Sequence, residues 1–362
     1  FGYKEIETPS FEYFDVYAQD MDMAPSREIY KFFDNENMTL ALRPDFTPGV
    51  CRTVSNYFMD SPRPIRLTYS GQTFSNRSDL QGKLKEVTEV GAECIGEPGA
   101  EADAEIIGLS NEVLLSSGLS DFQITVGNVG FFQGIVEAAE ISEEEKTILN
   151  ENIRRKNYFG LLDTIEDLNI SQEEKKALSS FSDFVGGFEV LEEAQKVLSE
   201  LPNNEKSLGA INRLKEVYEL LSFYGAEDAV TFDLGMLSRR NYYTGLIFRA
   251  YAFGSGEAIL TGGRYDGLLK LFGQDAAAVG FTVVLDRLLS TLHAQHVPIE
   301  TKAQLTLIIY DGSPEEYKIA LKTALRLRRE GRRTEILRAK DGTKDYFREK
   351  YGLNAEIMRI GN

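Results

Sequence analysis

The order of its patterns limits this chain most. Strand-like segments fill residues 1–135, give way to helix-like ones, and resume at 229–292. In the first part, ETPSFEYFDVY and IYKFFDNENMTLALRPDFT read as strands and loops, with DNEN as a hairpin turn. PIRLTYSGQTFS and KEVTEVGAECIG read as two strands around the polar loop NRSDLQGK. AEADAEIIGLSNEVLLSSG is an amphipathic helix ending at Gly118, and FQITVGNVGFF is a strand followed by a turn. From 136 to 228 charged helical segments follow one another. Ser142 with Glu145 and Ser171 with Glu174 form capping boxes there, so this part reads as a helical insertion. Strands and glycines then return as AVTFDLGM, YYTGLIFRAYAF, EAILTGGRYDGLL and AVGFTVVLDRLLSTL, the last passing from strand into helix. The class is α+β.

HAQHVPIETKAQ is a linker, which gives a core over 1–297 and a small α/β domain over 303–362. In that domain Ser313, Pro314 and Glu316 supply a cap, a first-turn proline and a box partner for a helix. About 60 residues is near the lower limit for a free-standing core. The strand pattern is already under way at Phe1, and a helix is expected before it.

Charge narrows the function. Lys and Arg number 40 against 57 Asp and Glu, a net −17, whereas a general nucleic-acid binder needs a basic face to displace counterions. RLRREGRR (326–333) reads as a solvated helix end whose arginines favour the negative end of the helix dipole. No apolar run reaches the roughly 18 residues of a membrane span, and a cytoplasmic location is expected. Cys51 and Cys94 lie in apolar surroundings as reduced core thiols. His293 and His296 have a spacing that could clip a metal, but no Cys or acidic residue stands near them, so no metal site is expected. Neither a Walker A loop nor GxGxxG is present, and no cofactor is expected.

Four segments in linear order carry a resemblance: IETPSFE (6–12), LRPDFT (42–47), TFSNRSDLQGKLKEVTEVGAE (73–93), and YYTGLIF with GGRYDGLL and VGFTVVLDRLL. Together they resemble the catalytic core of histidyl-tRNA synthetase, a class II aminoacyl-tRNA synthetase. The resemblance implies an antiparallel sheet of six or seven strands flanked by helices, with dimerisation through the strand that ends at Pro9. It also implies a helical insertion and a C-terminal α/β domain, which in the synthetase reads the anticodon. By the same resemblance Asp45, Thr47, Glu89, Glu93, Tyr242 and Tyr243 stand at histidine-pocket positions, Glu89 where the synthetase has glutamine. Acidic side chains and tyrosine hydroxyls can hold an ammonium group or an imidazole N–H.

The departures from the synthetase pattern concern cations. Adenylation needs positive charge on the ATP phosphates and on the attacking carboxylate. Ser75 stands where motif 2 has an arginine, and Ser238 where the histidine-specific motif has another. The motif 3 arginine is retained as Arg287. Two hydroxyls in place of two guanidinium groups remove several kcal/mol of transition-state stabilisation. The chain is therefore similar to the synthetase paralogues that serve as regulatory subunits of ATP phosphoribosyltransferase. Those have no aminoacylation activity. They assemble with the short-form catalytic subunit in the first step of histidine biosynthesis and take part in its activation and histidine feedback. That reading implies a homodimer through the synthetase-like core, histidine as effector, no tRNA, no catalytic residue and no membrane. The alternatives are a histidyl-tRNA synthetase with a degenerate site and an interaction protein on the same scaffold.

Overall fold

β-Branched and aromatic residues alternating with glycine or other small residues produce the paired strands, and each break in that alternation ends one. The computed structural model describes residues 1–18, 26–58, 60–76, 84–237, 242–299, 305–339 and 356–360. Its elements begin with β1 (Lys4–Glu5), β2 (Phe11–Tyr13), α1 (Asp15–Ala18), β3 (Lys31–Phe33), β4 (Thr39–Leu42) and α2 (Thr47–Tyr57). They continue with β5 (Ile65–Phe74), β6 (Glu86–Ile95), α3 (Ala100–Ser116), β7 (Phe122–Asn128), α4 (Val129–Ala138), α5 (Glu143–Arg154), α6 (Tyr158–Asp167) and α7 (Gln172–Ser179). Next come β8 (Val185–Gly186), α8 (Glu189–Leu198), α9 (Glu205–Tyr224), β9 (Val230–Asp233), β10 (Leu246–Ala252), β11 (Leu260–Arg264), β12 (Ala278–Val284) and α10 (Leu285–Ala294). β13 (Thr306–Tyr310), α11 (Pro314–Arg329), β14 (Thr334–Arg338) and β15 (Glu356–Ile360) complete the order.

The chain divides into two units, Phe1–Val297 and Pro298–Asn362. In the first, nine strands pair in the order β1-β5-β6-β12-β11-β10-β7-β9-β8. The sheet is thus larger than the six or seven antiparallel strands expected, and it is mixed. β1 runs parallel to β5 at one edge, and β9 runs parallel to β7 near the other, where the chain returns after the helices. β2, β4 and β3 form a separate antiparallel sheet, with the expected hairpin turn carrying Asn37 at φ 63°. The second unit has β13 between β14 and β15, all parallel, with α11 packed on them through Ala320, Ala324 and Leu327.

One local expectation is corrected. FQITVGNVGFF does not end in a turn, because Asn128 accepts from the Gly130 amide and caps α4, so the chain enters a helix directly from β7. The three capping boxes at Ser142, Ser171 and Ser313 all form. Helix α3 ends before Gly118, whose φ of 99° is closed to most side chains.

Strand register gives the main sheet two different faces. Ala92, Cys94, Val279, Phe281, Val283 and Leu260 point to the side covered by α3 and α9, within a buried cluster that extends into the insertion helices. Ile106, Ile107 and Leu114 of α3 are fully buried there, each contributing about 2 kcal/mol. Arg264 ends β11 on the same side. With Arg213 of α9 it clamps the fully buried Asp103 of α3, at 2.8 and 2.7 Å. The other face carries Tyr69, Gly91, Glu93, Gly280, Thr282 and Gly263, and α2 closes over part of it.

Candidate functional site

The glycines on that second face are set by their neighbours. A Cβ on Gly280 would fall 1.6 Å from Glu93 Oε2, and one on Gly91 2.3 Å from the Tyr69 hydroxyl. On Gly263 it would lie 2.8 Å from the Tyr243 ring. GGRYD and VGF thus supply a flat floor, and the side chains of β5, β6 and α2 stand around it. Thr47, Glu93, Tyr243, Thr261, Tyr265 and Thr282 line a crevice on this floor.

Glu93 is its centre. The side chain is buried, and Oε2 accepts from the Tyr265 hydroxyl at 2.5 Å. Oε1 accepts from Thr47 Oγ1 at 3.1 Å and from the Tyr69 hydroxyl at 3.2 Å. Thr282 Oγ1 sits 2.8 Å from that same Tyr69 hydroxyl. Burial pushes the Glu93 carboxyl up to about 7, against the three hydroxyl donors that favour its charge. Burial beside this carboxylate drives the Tyr265 and Tyr69 phenols far above their ordinary value, so both remain donors.

LRPDFT assembles the next layer. Asp45 Oδ1 accepts from the Thr47 amide at 3.1 Å, at the start of α2, which fixes the Thr47 hydroxyl toward Glu93. Asp45 Oδ2 accepts from the Tyr242 hydroxyl at 2.8 Å. Tyr242 is 4% exposed and belongs to the core beneath α2, whereas Tyr243 faces the crevice. Arg43 is buried over the Phe46 ring at 4.0 Å. Its Nη1 donates to the Thr8 carbonyl at 2.8 Å and its Nε to the Gln72 carbonyl at 2.7 Å, tying IETPSFE to β5.

Glu89 lies two strand positions beyond Gly91, on the side of Gly91 away from Glu93 and on the same face of β6. It is 8% exposed, and burial raises its carboxyl to about 7, opposed by a hydrogen bond from Thr73 and by the charges of Arg287 and Arg43. Arg287 donates to the Ala258 carbonyl at 2.8 Å and pairs with Glu257 at 2.6 Å. Ser75 closes the β5 end, its amide donating to the Lys85 carbonyl at 2.8 Å. Ser238 lies outside the described residues.

The structure brings Thr47, Glu93 and Tyr243 to one crevice, puts Glu89 farther along the same strand, and gives Asp45 and Tyr242 to each other. Sequence reasoning passed over Arg43, Tyr69, Tyr265 and Thr282 as site residues. Arg43, Tyr265 and Thr282 lie inside LRPDFT, GGRYDGLL and VGFTVVLDRLL, and Tyr69 lies in the strand PIRLTYSGQTFS, where nothing local marks it.

Two buried carboxyls raised from 4.5 to about 7 have a consequence for stability. A carboxyl whose folded-state pKa is raised supports folding fully below the unfolded value and loses that support as pH rises through the folded one. Each therefore withdraws up to about 3 kcal/mol between about pH 4.5 and pH 7. Urea titration of the ligand-free chain is expected to give a smaller drop in midpoint across this window for Glu89→Gln than for the parent. Equal drops would mean that Glu89 does not titrate there.

The glycine-floored crevice with its hydroxyl-bound carboxylate lies on a mixed sheet of the histidyl-tRNA synthetase-like fold. The histidyl-tRNA synthetase family model matches residues 1–288. The chain belongs to the histidyl-tRNA synthetase-like family of ATP phosphoribosyltransferase regulatory subunits. The relative so named from Acetivibrio thermocellus is 36% identical over 92% of this chain and 79% of its own. That from Thermoanaerobacter pseudethanolicus is 39% identical over 93% and 86%. A crystal structure from Bacillus halodurans, described as an ATP phosphoribosyltransferase regulatory subunit/histidyl-tRNA synthetase, is 30% identical with a TM-score of 0.85, covering 100% of this chain and 90% of its own. Histidyl-tRNA synthetase from Nostoc shares the fold, at 21% identity and a TM-score of 0.80, over 97% of this chain and 82% of its own.

Proposed function

We propose that this chain is a non-catalytic regulatory subunit that activates the short-form catalytic subunit of ATP phosphoribosyltransferase and holds histidine as its feedback effector. The carrying observation is the Glu93 cluster. It offers a carboxylate to an imidazole or ammonium N–H, and the three hydroxyls around it hold it in place. Ser75, at the end of β5, brings a hydroxyl where adenylation needs a guanidinium. Histidine must bind two states of the assembly unequally, because equal affinity shifts nothing. The protein works in the cytoplasm, without tRNA.

The deciding experiment is phosphoribosyl transfer to ATP by a short-form catalytic subunit, with and without this chain and with added histidine. Stimulation by the chain, reversed by histidine, supports the reading, and an unchanged rate ends it. The second reading, a degenerate synthetase, is favoured by the retained Arg287, but Glu257 and the Ala258 carbonyl occupy that guanidinium. Histidine-dependent exchange of pyrophosphate into ATP at synthetase-like rates would establish it instead.

Homodimerisation is supported by the β2-β4-β3 sheet. Phe11 is 51% exposed, Tyr13 53% and Phe32 37%, and register puts them on one face with Leu40 and Leu42. Phe11 and Phe32 meet edge to face at 5.6 Å. Sedimentation is expected to show at least a ~10-fold weaker dimer for a Phe11→Ser, Phe32→Ser variant, taking about 1 kcal/mol per interface aromatic. An unchanged dimer would place the interface elsewhere.

A further inference from the structure

Glu89 presents a problem that Glu93 does not. Every oxygen of Glu93 has a donor, whereas Glu89 Oε2 is buried with no hydrogen-bond partner. A buried carboxylate oxygen without a donor is costly as an anion, and the simplest relief is a proton. The charged and titratable groups facing Glu89 are Arg43 from the segment after β4, Arg287 on α10 and Tyr69 on β5, with Glu93 on its own strand. Neither guanidinium bonds it: Arg43 is committed to the carbonyls of Thr8, Pro9 and Gln72, and Arg287 to Glu257 and Ala258. Among the described residues, Thr73 supplies its hydrogen-bond support.

We infer that the empty site holds a proton on Glu89, and that a ligand's ammonium group displaces it, so that occupancy is coupled to proton release. The exchange is balanced. The carboxylic acid gives its proton to solvent, and the carboxylate left behind accepts an N–H of the incoming ammonium. An amide at this position could not make the exchange, since it has no proton to release. This inference rests on the histidine reading for its ligand. Its consequence is that the effector binds more tightly as pH rises through neutrality, so feedback is strongest on the alkaline side.

The test is calorimetry of the full chain with histidine at about pH 7, in two buffers of different ionisation enthalpy, for the parent and for Glu89→Gln. The parent is expected to release about half a proton more than the variant, because a group titrating at about 7 is half protonated there. Equal release overturns the inference. If that variant does not fold, Glu89→Met takes its place in the same two-buffer comparison, which leaves the Glu93 contribution in both proteins, and equal proton release again overturns the inference. No heat from histidine at any pH, alone or with the catalytic subunit, sinks the histidine reading instead. The proton is then judged in the empty protein by infrared difference spectra between about pH 6 and pH 8. A carboxylic-acid band lost in Glu89→Gln upholds it, and no such band removes it.

Discussion

Glu93→Gln is expected to lower histidine affinity by ~100-fold, about 3 kcal/mol for a charge-assisted contact. The substitution keeps the shape and one acceptor oxygen but removes the charge. It also turns an amide nitrogen toward one of the hydroxyls that now donate to the carboxylate, Tyr265 at 2.5 Å or Thr47 at 3.1 Å. Feedback by histidine should be lost while stimulation of the catalytic subunit persists, because the carboxyl is buried in the crevice and not on a docking surface. Calorimetry and the phosphoribosyl-transfer assay read the two effects separately. Binding at parental affinity would remove Glu93 from the pocket.

The largest effect on folding is expected at Asp103. It is fully buried between Arg264, itself 6% exposed, and Arg213. Asp103→Ala leaves Arg264 buried with only carbonyls and the half-exposed Asp266 for company, and should cost about 3–5 kcal/mol. Arg213, a quarter exposed, can turn to water and lessens the loss. Adding Arg264→Met to Asp103→Leu should recover much of it, since an apolar pair of similar volume avoids the desolvation of both charges. Urea titration of the three proteins checks this. A loss below about 1 kcal/mol for Asp103→Ala would show the pair to be no more than a surface ion pair.

How far the sequence carries depends on the range of the interaction. Capping boxes at Ser142, Ser171 and Ser313 are four-residue patterns, and they form where the pattern places them. The strand–loop–strand of residues 65–95 was legible for the same reason, its partners being neighbours in the chain. Tyr265 and Thr282 meet β5 and β6 from 172 and 213 residues away, a separation that no local period encodes. The adjacent Tyr242 and Tyr243 look alike in sequence, yet one hydroxyl is committed to Asp45 and the other ring faces the crevice. The parallel edges of the sheet were missed because a two-residue strand such as β1 has no alternation to read.

The two faces of β6 also govern how homologous chains can vary in length. Glu89, Gly91 and Glu93 alternate with Val90, Ala92 and Cys94, and each set meets a different environment. Deleting one residue between Thr88 and Glu93 would present carboxyls to α3 and apolar groups to the crevice at once. Indels are therefore barred from this strand by geometry. Length differences between relatives should accumulate instead outside the paired stretches of β5 and β6.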